Sequence, residues 1–293
     1  MAIMSKELTI VVTNYKTPEI LKKSLELLNK YASESKIIMV DSDSQDNSVE
    51  ICKKHFPNVE IIEVKNHSMG NAANTGIFAA KSKYIMQMNA DVFIAKDTIN
   101  DMINILKKPN IAMVAPRAKD KNGHWQNQGL LYKRYHYYLD FTKKPSIAAD
   151  WLHGCCLMLK QDVLEHGGFD SNFRFYNEDI EWSYRLRKAG LECHMVNTEV
   201  VHLGGSSTPD NINFIIEAYR GGFVLSEMYK PKWYQQLHWF YVLAESHIQT
   251  SFAKSNKKQA FLAIRKMFLK RDFEHSPFGQ DLNTSNKQFA YFK

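Results

Sequence analysis

The sequence predicts an α/β fold in which a mostly parallel, twisted sheet carries helices on both faces and is followed by a helical extension. Three observations support this prediction. Short apolar runs typical of buried strands alternate with helical segments as far as residue 115. Polar clusters follow most of these runs, and from about residue 206 the alternation gives way to aromatic-rich helical segments. We therefore predict a ligand-binding domain over residues 1–206 and a helical extension over residues 207–293.

The individual elements follow one another as repeated β-α units. Pro18 suits the first turn of the first helix, and Gly190 ends the last helix of the alternating region. The predicted strands are Leu8–Thr13, Lys36–Val40, Val59–Val64, Tyr84–Met88, Ala112–Ala115 and Leu152–Leu159. The predicted helices are Pro18–Tyr31, Ser48–His55, Gly70–Ala80, Thr98–Leu106, Asn177–Ala189, Ile212–Tyr229 and Trp233–Phe252. Residues 117–145 are predicted to form an irregular insertion. Because such sheets bind ligands beyond the carboxyl ends of their strands, the residues just after each strand are the candidates for function.

Composition and charge exclude several classes of protein. The 293 residues are 44% hydrophobic and 24% charged, which is the balance of a folded globular protein and not of a disordered or disulfide-rich one. The net charge of +7 is concentrated, since Ala253–Arg271 contains seven basic residues and no acidic one. A nucleic-acid-binding protein generally spreads such charge over its binding face, so no nucleic-acid partner is expected.

The helical extension has three interpretations. Its basic segment, with an apolar stripe of Phe261, Ile264 and Phe268, could hold the protein against an anionic membrane. The same segment could be a solvated helix beside the core, or the helices of residues 212–252 could form a homodimer interface. The longest uncharged aromatic-rich run is too short to span a bilayer, and the start of the chain lacks a signal-peptide core. We expect a cytoplasmic protein whose membrane contact, at the inner face of the cell membrane, is peripheral.

The four cysteines support the cytoplasmic prediction. They form no CxxC pair, and the adjacent Cys155 and Cys156 have poor geometry for bridging each other. The spacings of cysteines and histidines also fit no usual four-ligand zinc pattern, so no zinc site is predicted.

Polar residues follow the second and third predicted strands. Asp41 and Asp43 could accept hydrogen bonds from a nucleobase or ribose, or they could form a polar turn. Asn71 and Asn74 lie among small residues at a helix start, where a diphosphate can approach backbone N–H groups. The stretch 66–76 is neither a GxGxxG nor a Walker loop, which disfavours dinucleotide-binding and P-loop proteins.

Two further clusters contain groups suited to metal binding and proton transfer. Asn89 and Asp91 end an apolar strand, where the carboxylate could bind a cation that bridges a diphosphate, or the pair could be a simple turn. His202, at a later strand end, could be a ligand or a structural residue. Glu178 and Asp179 open a helix, where the macrodipole favours acidic residues and keeps a carboxylate ionised. Such a carboxylate could remove a proton from an attacking hydroxyl.

In this order, the clusters resemble the inverting glycosyltransferases of family 2, a nucleotide-sugar-dependent group with the GT-A fold. The resemblance is to the rhamnosyltransferase-like branch of bacterial surface-polysaccharide enzymes. The matching stretches are Thr9–Pro18, Val40–Ser48, Asn66–Gly76, Met88–Asp91, Gly154–Leu159, Gly167–Asp170, Asn177–Asp179 and His202–Ser206. The family's metal motif is often Asp-x-Asp, whereas residue 89 of this chain is Asn, so fewer protein carboxylates would hold the cation.

The resemblance implies transfer of a sugar from a nucleoside diphosphate to an acceptor hydroxyl, with inversion in a single displacement. Asp179 would be the general base with Glu178 beside it, and Asp91, with His202 as an additional ligand, would hold Mg²⁺ or Mn²⁺. The residues that would bind the nucleotide sugar are Thr13, Asn14, Asp41, Asp43, Asn71, Asn74, Asn89 and Asp91. Those on the acceptor side would be Trp151, Gly154 and Trp182.

The base-binding carboxylate narrows the donor. If Asp41 accepts the ring N–H of the base, uracil and thymine qualify and cytosine does not, which favours a UDP- or dTDP-sugar such as dTDP-rhamnose. The acceptor would be a hydroxyl of a glycan or of a lipid-linked molecule. Two other functions fit the same sheet: a non-catalytic nucleotide-sugar-binding protein and a sugar nucleotidyltransferase. The latter needs a glycine-rich basic phosphate loop after the first strand, which residues 12–16 do not form.

Overall fold

The chain forms two compact units in a computed structural model that describes residues 7–65, 68–126, 144–205, 212–253 and 255–279. The first unit comprises residues 1–169 and 182–207, and the second comprises residues 170–181 and 208–293. The segment 170–181, which carries Glu178 and Asp179, therefore groups with the C-terminal helices. The predicted boundary near residue 206 assigns this segment to the N-terminal domain instead.

The first unit is built on one mixed sheet. Its strands within the described residues are β1 (Leu8–Asn14), β2 (Lys36–Asp41), β3 (Glu60–Glu63), β4 (Tyr84–Asn89), β5 (Val92–Ile94), β6 (Ile111–Lys119), β7 (Ser146–Ala148), β8 (Cys156–Lys160) and β9 (Glu192–His202). The helices are α1 (Pro18–Tyr31), α2 (Ser48–His55), α3 (Met69–Ala79) and α4 (Thr98–Leu106), with a 3-10 helix at Gln161–His166. Helix α5 (Glu178–Lys188) begins in the segment 170–181 and continues into the first unit.

The strand order is β3-β2-β1-β4-β8-β6-β9-β5, with β7 paired to β9. Strands β3, β2, β1 and β4 are parallel, so their carboxyl ends share one edge. Strand β8 runs antiparallel between β4 and β6, and both β5 and β7 pair antiparallel with β9. The α/β prediction with helices on both faces and a helical extension is confirmed. Parallel pairing is limited to the four strands β3, β2, β1 and β4 and to the pair β6 and β9.

The core lies on both faces of the sheet. Every residue of β1 is buried, as expected for a strand covered on both sides. Leu8, Ile10 and Val12 pack on the α1 face, and Val11 packs on the α3 face. Helix α3 approaches this strand closely, because a Cβ at Gly76 would lie 2.3 Å from Val11 Cγ1. The close packing fixes the start of α3 beside the carboxyl ends of the central strands.

The predicted elements agree with the structure at most positions. Helices α2 and α4 have the predicted bounds. Strands β5 and β7 are not foreseen, because three residues are too few to show a periodicity, and of β9 only the end at His202 is predicted. The irregular insertion begins later than expected, since β6 continues to Lys119. Residues 127–143 of that insertion, as well as Asn66 and Ser206 of the family resemblance, lie outside the described residues.

The second unit contains the helices α6 (Ile212–Tyr229), α7 (Lys232–Phe252) and α8 (Ser255–Lys270). Phe261, Ile264 and Phe268 are buried in its core with Phe223. The stripe that was expected to face either solvent or a membrane therefore packs inward, because α6 and α7 cover it. None of the described helices is long and apolar enough to cross a membrane.

Candidate active site

The carboxyl ends of β1 and β2 are joined by a buried hydrogen-bond network. Asn14 pairs with Asp41 across the two strands, and its Nδ2 donates to Asp41 Oδ1 at 2.9 Å. Asp41 also accepts from the Ser44 hydroxyl at 2.6 Å and from the Ser44 backbone N–H at 2.9 Å. Thr17 Oγ1 in turn donates to Asn14 Oδ1 at 2.8 Å. The Asp41 carboxylate, 3% exposed, is thus held in one orientation at the edge where ligands of parallel sheets bind.

The loops after these strands have unusual backbone conformations. Lys16, Asp43 and Gln45 have φ values of 55°, 59° and 55°, in the left-handed region that side-chain-bearing residues seldom occupy. The Asp43 side chain is exposed and accepts a hydrogen bond from Gln45 Nε2. Such conformations persist where the surrounding structure enforces them, and they cluster at ligand sites. Here they surround Asp41.

Thr13 and Asn89 connect β1 to β4. The two residues are paired in register, and Thr13 Oγ1 donates to Asn89 Oδ1 at 3.3 Å. Asn89 Oδ1 also accepts from Gln87 Nε2 at 3.3 Å. This amide oxygen is therefore engaged within the sheet, and the Asp91 carboxylate two residues later is the ionisable group at the end of β4.

Asp91 lies beside His202, as the sequence analysis predicted for a shared metal. His202 is paired with Val92 across β9 and β5, and its Nε2 is 3.4 Å from Asp91 Oδ1. Both residues are 8% exposed. Gln126 fixes the imidazole: its Nε2 donates to the His202 carbonyl at 2.9 Å, which turns its Oε1 toward His202 Nδ1 at 2.7 Å.

This arrangement sets the histidine tautomer. An amide oxygen only accepts, so the neutral form of His202 carries its proton on Nδ1 and offers the Nε2 lone pair to a cation shared with Asp91. A carboxylate and an imidazole lone pair, with the second ring nitrogen held by an outer partner, form a donor set that fits a divalent cation. Gln126 is missed by the sequence analysis, because a glutamine in a polar stretch carries no signal of its own.

His153 and Cys155 lie next to this pair. The His153 and His202 rings meet edge to face with centroids 5.4 Å apart, and ligand-type atoms of His153, Cys155 and His202 lie within 4.8 Å of one another. His153 Nδ1 accepts the Cys155 backbone N–H at 3.1 Å, which leaves the proton of the neutral ring on Nε2. Burial lowers the pKa of His153 to about 4, so the ring is neutral. The neutral His153 therefore offers an N–H group beside His202, and Asp91 and His202 remain the predicted cation ligands.

Side chains at the start of α3, where the sequence predicts nucleotide-sugar binding, make hydrogen bonds within the protein. Ser68 caps the helix by accepting the Asn71 backbone N–H at 2.9 Å, and the Asn71 side chain is half-buried. Asn74 is engaged elsewhere: its Nδ2 donates to the Phe169 carbonyl at 2.8 Å, and its Oδ1 accepts the Phe169 N–H at 2.9 Å. A Cβ at Gly168 would lie 2.3 Å from Asn74 Oδ1. Both ends of the Asn74 amide are therefore engaged by the Phe169 backbone, which is a structural role that the sequence analysis did not foresee for this predicted nucleotide-sugar ligand.

In the second unit, Asn177 stabilises the turn that precedes α5. Tyr176 and Asn177 have φ values of 65° and 70°, and Asn177 Nδ2 donates to the Ala218 carbonyl of α6 at 3.1 Å. Gly221 leaves room for this contact, since a Cβ there would lie 2.7 Å from Asn177 Nδ2. The strained turn immediately precedes Glu178 and Asp179.

A buried ion pair on α6 supports the same segment. Arg220 donates to both Glu217 carboxylate oxygens, at 2.9 and 2.6 Å, and to the Asn172 carbonyl at 2.7 Å. Glu217 also accepts the Arg174 backbone N–H at 3.2 Å. Glu217 and Arg220 are not among the residues predicted from the sequence, although two opposite charges three residues apart in an apolar helix are a usable signal.

Glu178 and Asp179 differ in their surroundings. Glu178 is 6% exposed, and within the described residues its Oε2 has no hydrogen-bond partner. Burial, followed by the nearby Asp179 charge, raises the pKa of Glu178 to about 8. Glu178 is therefore a neutral acid near pH 7. Asp179 is only partly buried in the first turn of α5, and its Oδ1 accepts the Ile180 N–H at 2.8 Å.

The residues assigned to the acceptor side lie in different places. Trp182 is fully buried, with its ring 4.7 Å from that of Phe169, so it is a core residue that an acceptor cannot touch. Trp151 is 9% exposed, with its ring 6.1 Å from that of His153. Gly154 is buried between His153 and Cys155. Trp151 and Gly154 therefore lie next to His153, whose ring contacts that of His202.

Comparison with known proteins identifies the family. The model of glycosyl transferase family 2 matches residues 9–168, which include Asn14, Asp41 and Asp91. The chain belongs to glycosyl transferase family 2. This family 2 glycosyltransferase continues beyond the matched region into α5, β9 and the C-terminal helices.

Its relatives include hexosyl- and rhamnosyltransferases. The low-salt glycan biosynthesis hexosyltransferase Agl10 of Haloferax volcanii is 25% identical over 66% of this chain and 67% of its own length. The rhamnosyltransferase WbbL of Escherichia coli K12 is 24% identical over 72% of this chain and 88% of its own. The N-acetylglucosaminyl-diphospho-decaprenol L-rhamnosyltransferase of Mycobacterium tuberculosis is 22% identical over 80% and 89%. The resemblance to the rhamnosyltransferase-like branch is confirmed.

Two solved structures share the fold of the family 2 glycosyltransferase. GalNAc-T7, crystallised with UDP, GalNAc and Mn²⁺, matches with a TM-score of 0.63 and 15% identity, over 92% of this chain but only 58% of its own. The mannosyltransferase PcManGT of Pyrobaculum calidifontis, in complex with GDP-Man and Mn²⁺, matches with a TM-score of 0.59 and 15% identity, over 91% and 81%. The GT-A fold is therefore confirmed.

Proposed function

We propose that this family 2 glycosyltransferase moves a sugar from a UDP- or dTDP-sugar to a hydroxyl of a glycan or lipid-linked acceptor, with inversion. The observation that carries the proposal is the pairing of Asp91 with His202, whose lone pair is oriented by Gln126. A histidine tautomer fixed in this way is typical of a ligand site. dTDP-rhamnose is the first donor to test, because rhamnosyltransferases are among the relatives.

The donor would bind at the edge formed by β1, β2 and β4. Asp41 is held by Asn14 and Ser44, and a carboxylate has lone pairs enough to accept a base N–H in addition. Uracil and thymine carry that N–H and cytosine does not. Asp43, exposed in the same loop, would lie near the nucleoside.

A divalent cation, Mg²⁺ or Mn²⁺, would supply charge neutralisation to the leaving diphosphate, and Asp91 and His202 would hold it. The Mn²⁺ complexes of GalNAc-T7 and PcManGT support this assignment. Asn89 is engaged with Thr13 and Gln87, so it would position the strand end and leave Asp91 as the carboxylate ligand. His153 would direct an N–H group toward the same region.

The proton of the acceptor hydroxyl would pass to Asp179. Glu178 is neutral near pH 7 and cannot accept a proton in that form, whereas Asp179 lies in the helix turn where the macrodipole favours an ionised carboxylate. One displacement then forms the glycosidic bond as the bond to the diphosphate breaks, and inversion follows without a covalent enzyme intermediate.

The proposal is tested by thermal stabilisation with UDP, dTDP, GDP and CDP, each with and without Mn²⁺. A nucleotide present at about 100 times its Kd stabilises the folded protein by about 2.7 kcal/mol. We expect a metal-dependent shift with UDP or dTDP that Asp91→Asn loses and that the exposed control Asp97→Asn retains. The absence of a shift with any nucleotide, or an undiminished shift in Asp91→Asn, would contradict the proposal.

A further inference from the structure

The outer face of helix α7 is apolar. Six large side chains on this helix are 56% to 82% exposed: Trp233, Leu237, Phe240, Tyr241, Ile248 and Phe252. At 3.6 residues per turn they fall within about 120° of arc, along a helix about 30 Å long. We call this surface the α7 face. No Asp, Glu, Lys or Arg of α7 lies within the arc.

The covered side of the same helix carries polar residues together with Trp239 and Leu243, which pack against the core of the second unit. Gln235, Ser246 and Thr250 are buried beside Val242. Their polar groups are satisfied by nearby carbonyls: Gln235 Nε2 donates to Lys230 O at 2.8 Å, and Ser246 Oγ donates to Leu243 O at 2.8 Å. The helix therefore covers the core with a mixed polar and apolar side, while the six large side chains of the α7 face stay exposed. An amphipathic helix usually turns its largest apolar stripe toward a partner, so the outward orientation of the α7 face points to one.

The exposed apolar area of the α7 face also indicates a binding partner. Six such side chains, more than half exposed, present roughly 600 Å² of apolar surface, which exceeds the few hundred Å² usual on a monomer. Trp233 and Tyr241 are residues that favour the boundary between water and hydrocarbon.

The neighbouring helix α8 adds positive charge. Its outer surface presents the exposed Leu262 and Leu269 among the exposed Lys258, Lys266 and Lys270. The stretch Ala253–Arg271 contains no acidic residue. Basic residues beside exposed apolar ones are the combination that binds anionic lipid surfaces.

We propose that the α7 face and the basic surface of α8 bind an anionic lipid bilayer, with α7 lying in the interface. A second copy of the chain is the less suitable occupant, because it carries the same uncompensated positive helix and self-association brings like charges together. This inference extends the proposed function, since a lipid-linked acceptor would lie in the same bilayer. Vesicle binding, however, is independent of sugar transfer.

The test is co-flotation of the full chain with vesicles of phosphatidylglycerol and phosphatidylcholine, and with vesicles of phosphatidylcholine alone. Compared with anionic vesicles at low salt, we expect at least about tenfold weaker binding to neutral vesicles and to anionic vesicles in 0.5 M salt. Both conditions remove the attraction of several basic residues to the lipid surface, and each such residue contributes about 1 kcal/mol. We expect Phe240→Gln with Phe252→Gln, and separately Lys258→Gln with Lys266→Gln, to weaken binding to anionic vesicles to a similar degree. The matched control Phe78→Gln, an exposed Phe on α3, should bind like the unmodified protein.

Equal binding by all variants would overturn the proposal, as would a failure of the unmodified protein to bind anionic vesicles. A stable dimer that Phe240→Gln with Phe252→Gln dissociates would also overturn it and would assign the α7 face to a second copy. All variants are checked by circular dichroism, and their sugar transfer is measured on a water-soluble acceptor. Loss of vesicle binding with transfer retained separates this inference from the proposed function.

Discussion

Replacing Arg220 by Met should destabilise the second unit strongly. Arg220 is 1% exposed and makes four hydrogen bonds: two to Glu217, one to the Asn172 carbonyl and one to the Phe273 carbonyl. Arg220→Met keeps most of the side-chain volume but leaves the fully buried Glu217 carboxylate without its counter-charge. Removing one partner of a buried ion pair costs about 3–5 kcal/mol. We therefore expect a loss of that size in the free energy of unfolding.

The assay is urea unfolding followed by far-UV circular dichroism. The control is Arg265→Met on α8, a half-buried arginine whose loss should change stability by less than about 0.5 kcal/mol. The double variant Glu217→Gln with Arg220→Met removes the stranded charge and should recover part of the loss. A loss below about 1 kcal/mol for Arg220→Met, or a double variant no more stable than Arg220→Met, would refute the reasoning.

Three further predictions concern Asn74 in the first unit and Glu178 and Asp179 in the second. Asn74→Ala should lower the free energy of unfolding, measured by urea unfolding, by about 2–4 kcal/mol, because the backbone N–H and carbonyl of Phe169 both lose their partner. The control Thr75→Ala, at an exposed position on the same helix, should change it little, and equal effects of the two variants would refute the prediction. Asp179→Asn should lower kcat by at least about 100-fold, and Glu178→Gln by much less, in single-turnover assays at pH 7; the reverse order would make Glu178 the base. Because the pKa of Glu178 rises from an ordinary 4.5 to about 8 on folding, its ionisation opposes folding. The protein should lose stability relative to Glu178→Gln as pH rises from about 4.5 to about 8, and a constant difference would contradict this.

The parallel strands β1, β2 and β4 were predictable because their pattern is local. Apolar runs mark strands buried on both faces; Asn14 and Asp41 come directly after two of those runs, and Asp91 lies two residues beyond the end of β4. Parallel strands bring such residues to one edge whatever the details of packing. The hydrogen bond between Asn14 and Asp41 is a consequence of that register.

The role of Asn74 was not predictable from the same pattern. An asparagine at a helix start near a ligand edge suits a diphosphate as well as it suits a backbone clamp. The choice depends on Phe169, which lies 95 residues further along the chain. Two adjacent glycines at 167 and 168 indicate that another group packs closely against the backbone there, but the sequence does not identify that group as Asn74.

Gln126 and the α7 face show a second limit. The tautomer of His202 depends on Gln126, 76 residues away, and no periodicity connects the two. In α7, apolar residues occur around most of the helix, so the sequence does not tell which side is covered.

The packing against α6 and α8 decides the orientation of α7. The core around Phe223 and Phe268 accepts Trp239, Val242 and Leu243 of α7. Ser246 and Thr250 lie on the same side, where their hydroxyls are satisfied by their own helix. The α7 face is left outward, with Phe252 82% exposed. Burying that side instead would bring about six large side chains out of water, at about 1.5–3 kcal/mol each. Burial of the α7 face against a binding partner would gain this free energy. The basic helix α8 beside α7 indicates that the partner is an anionic surface.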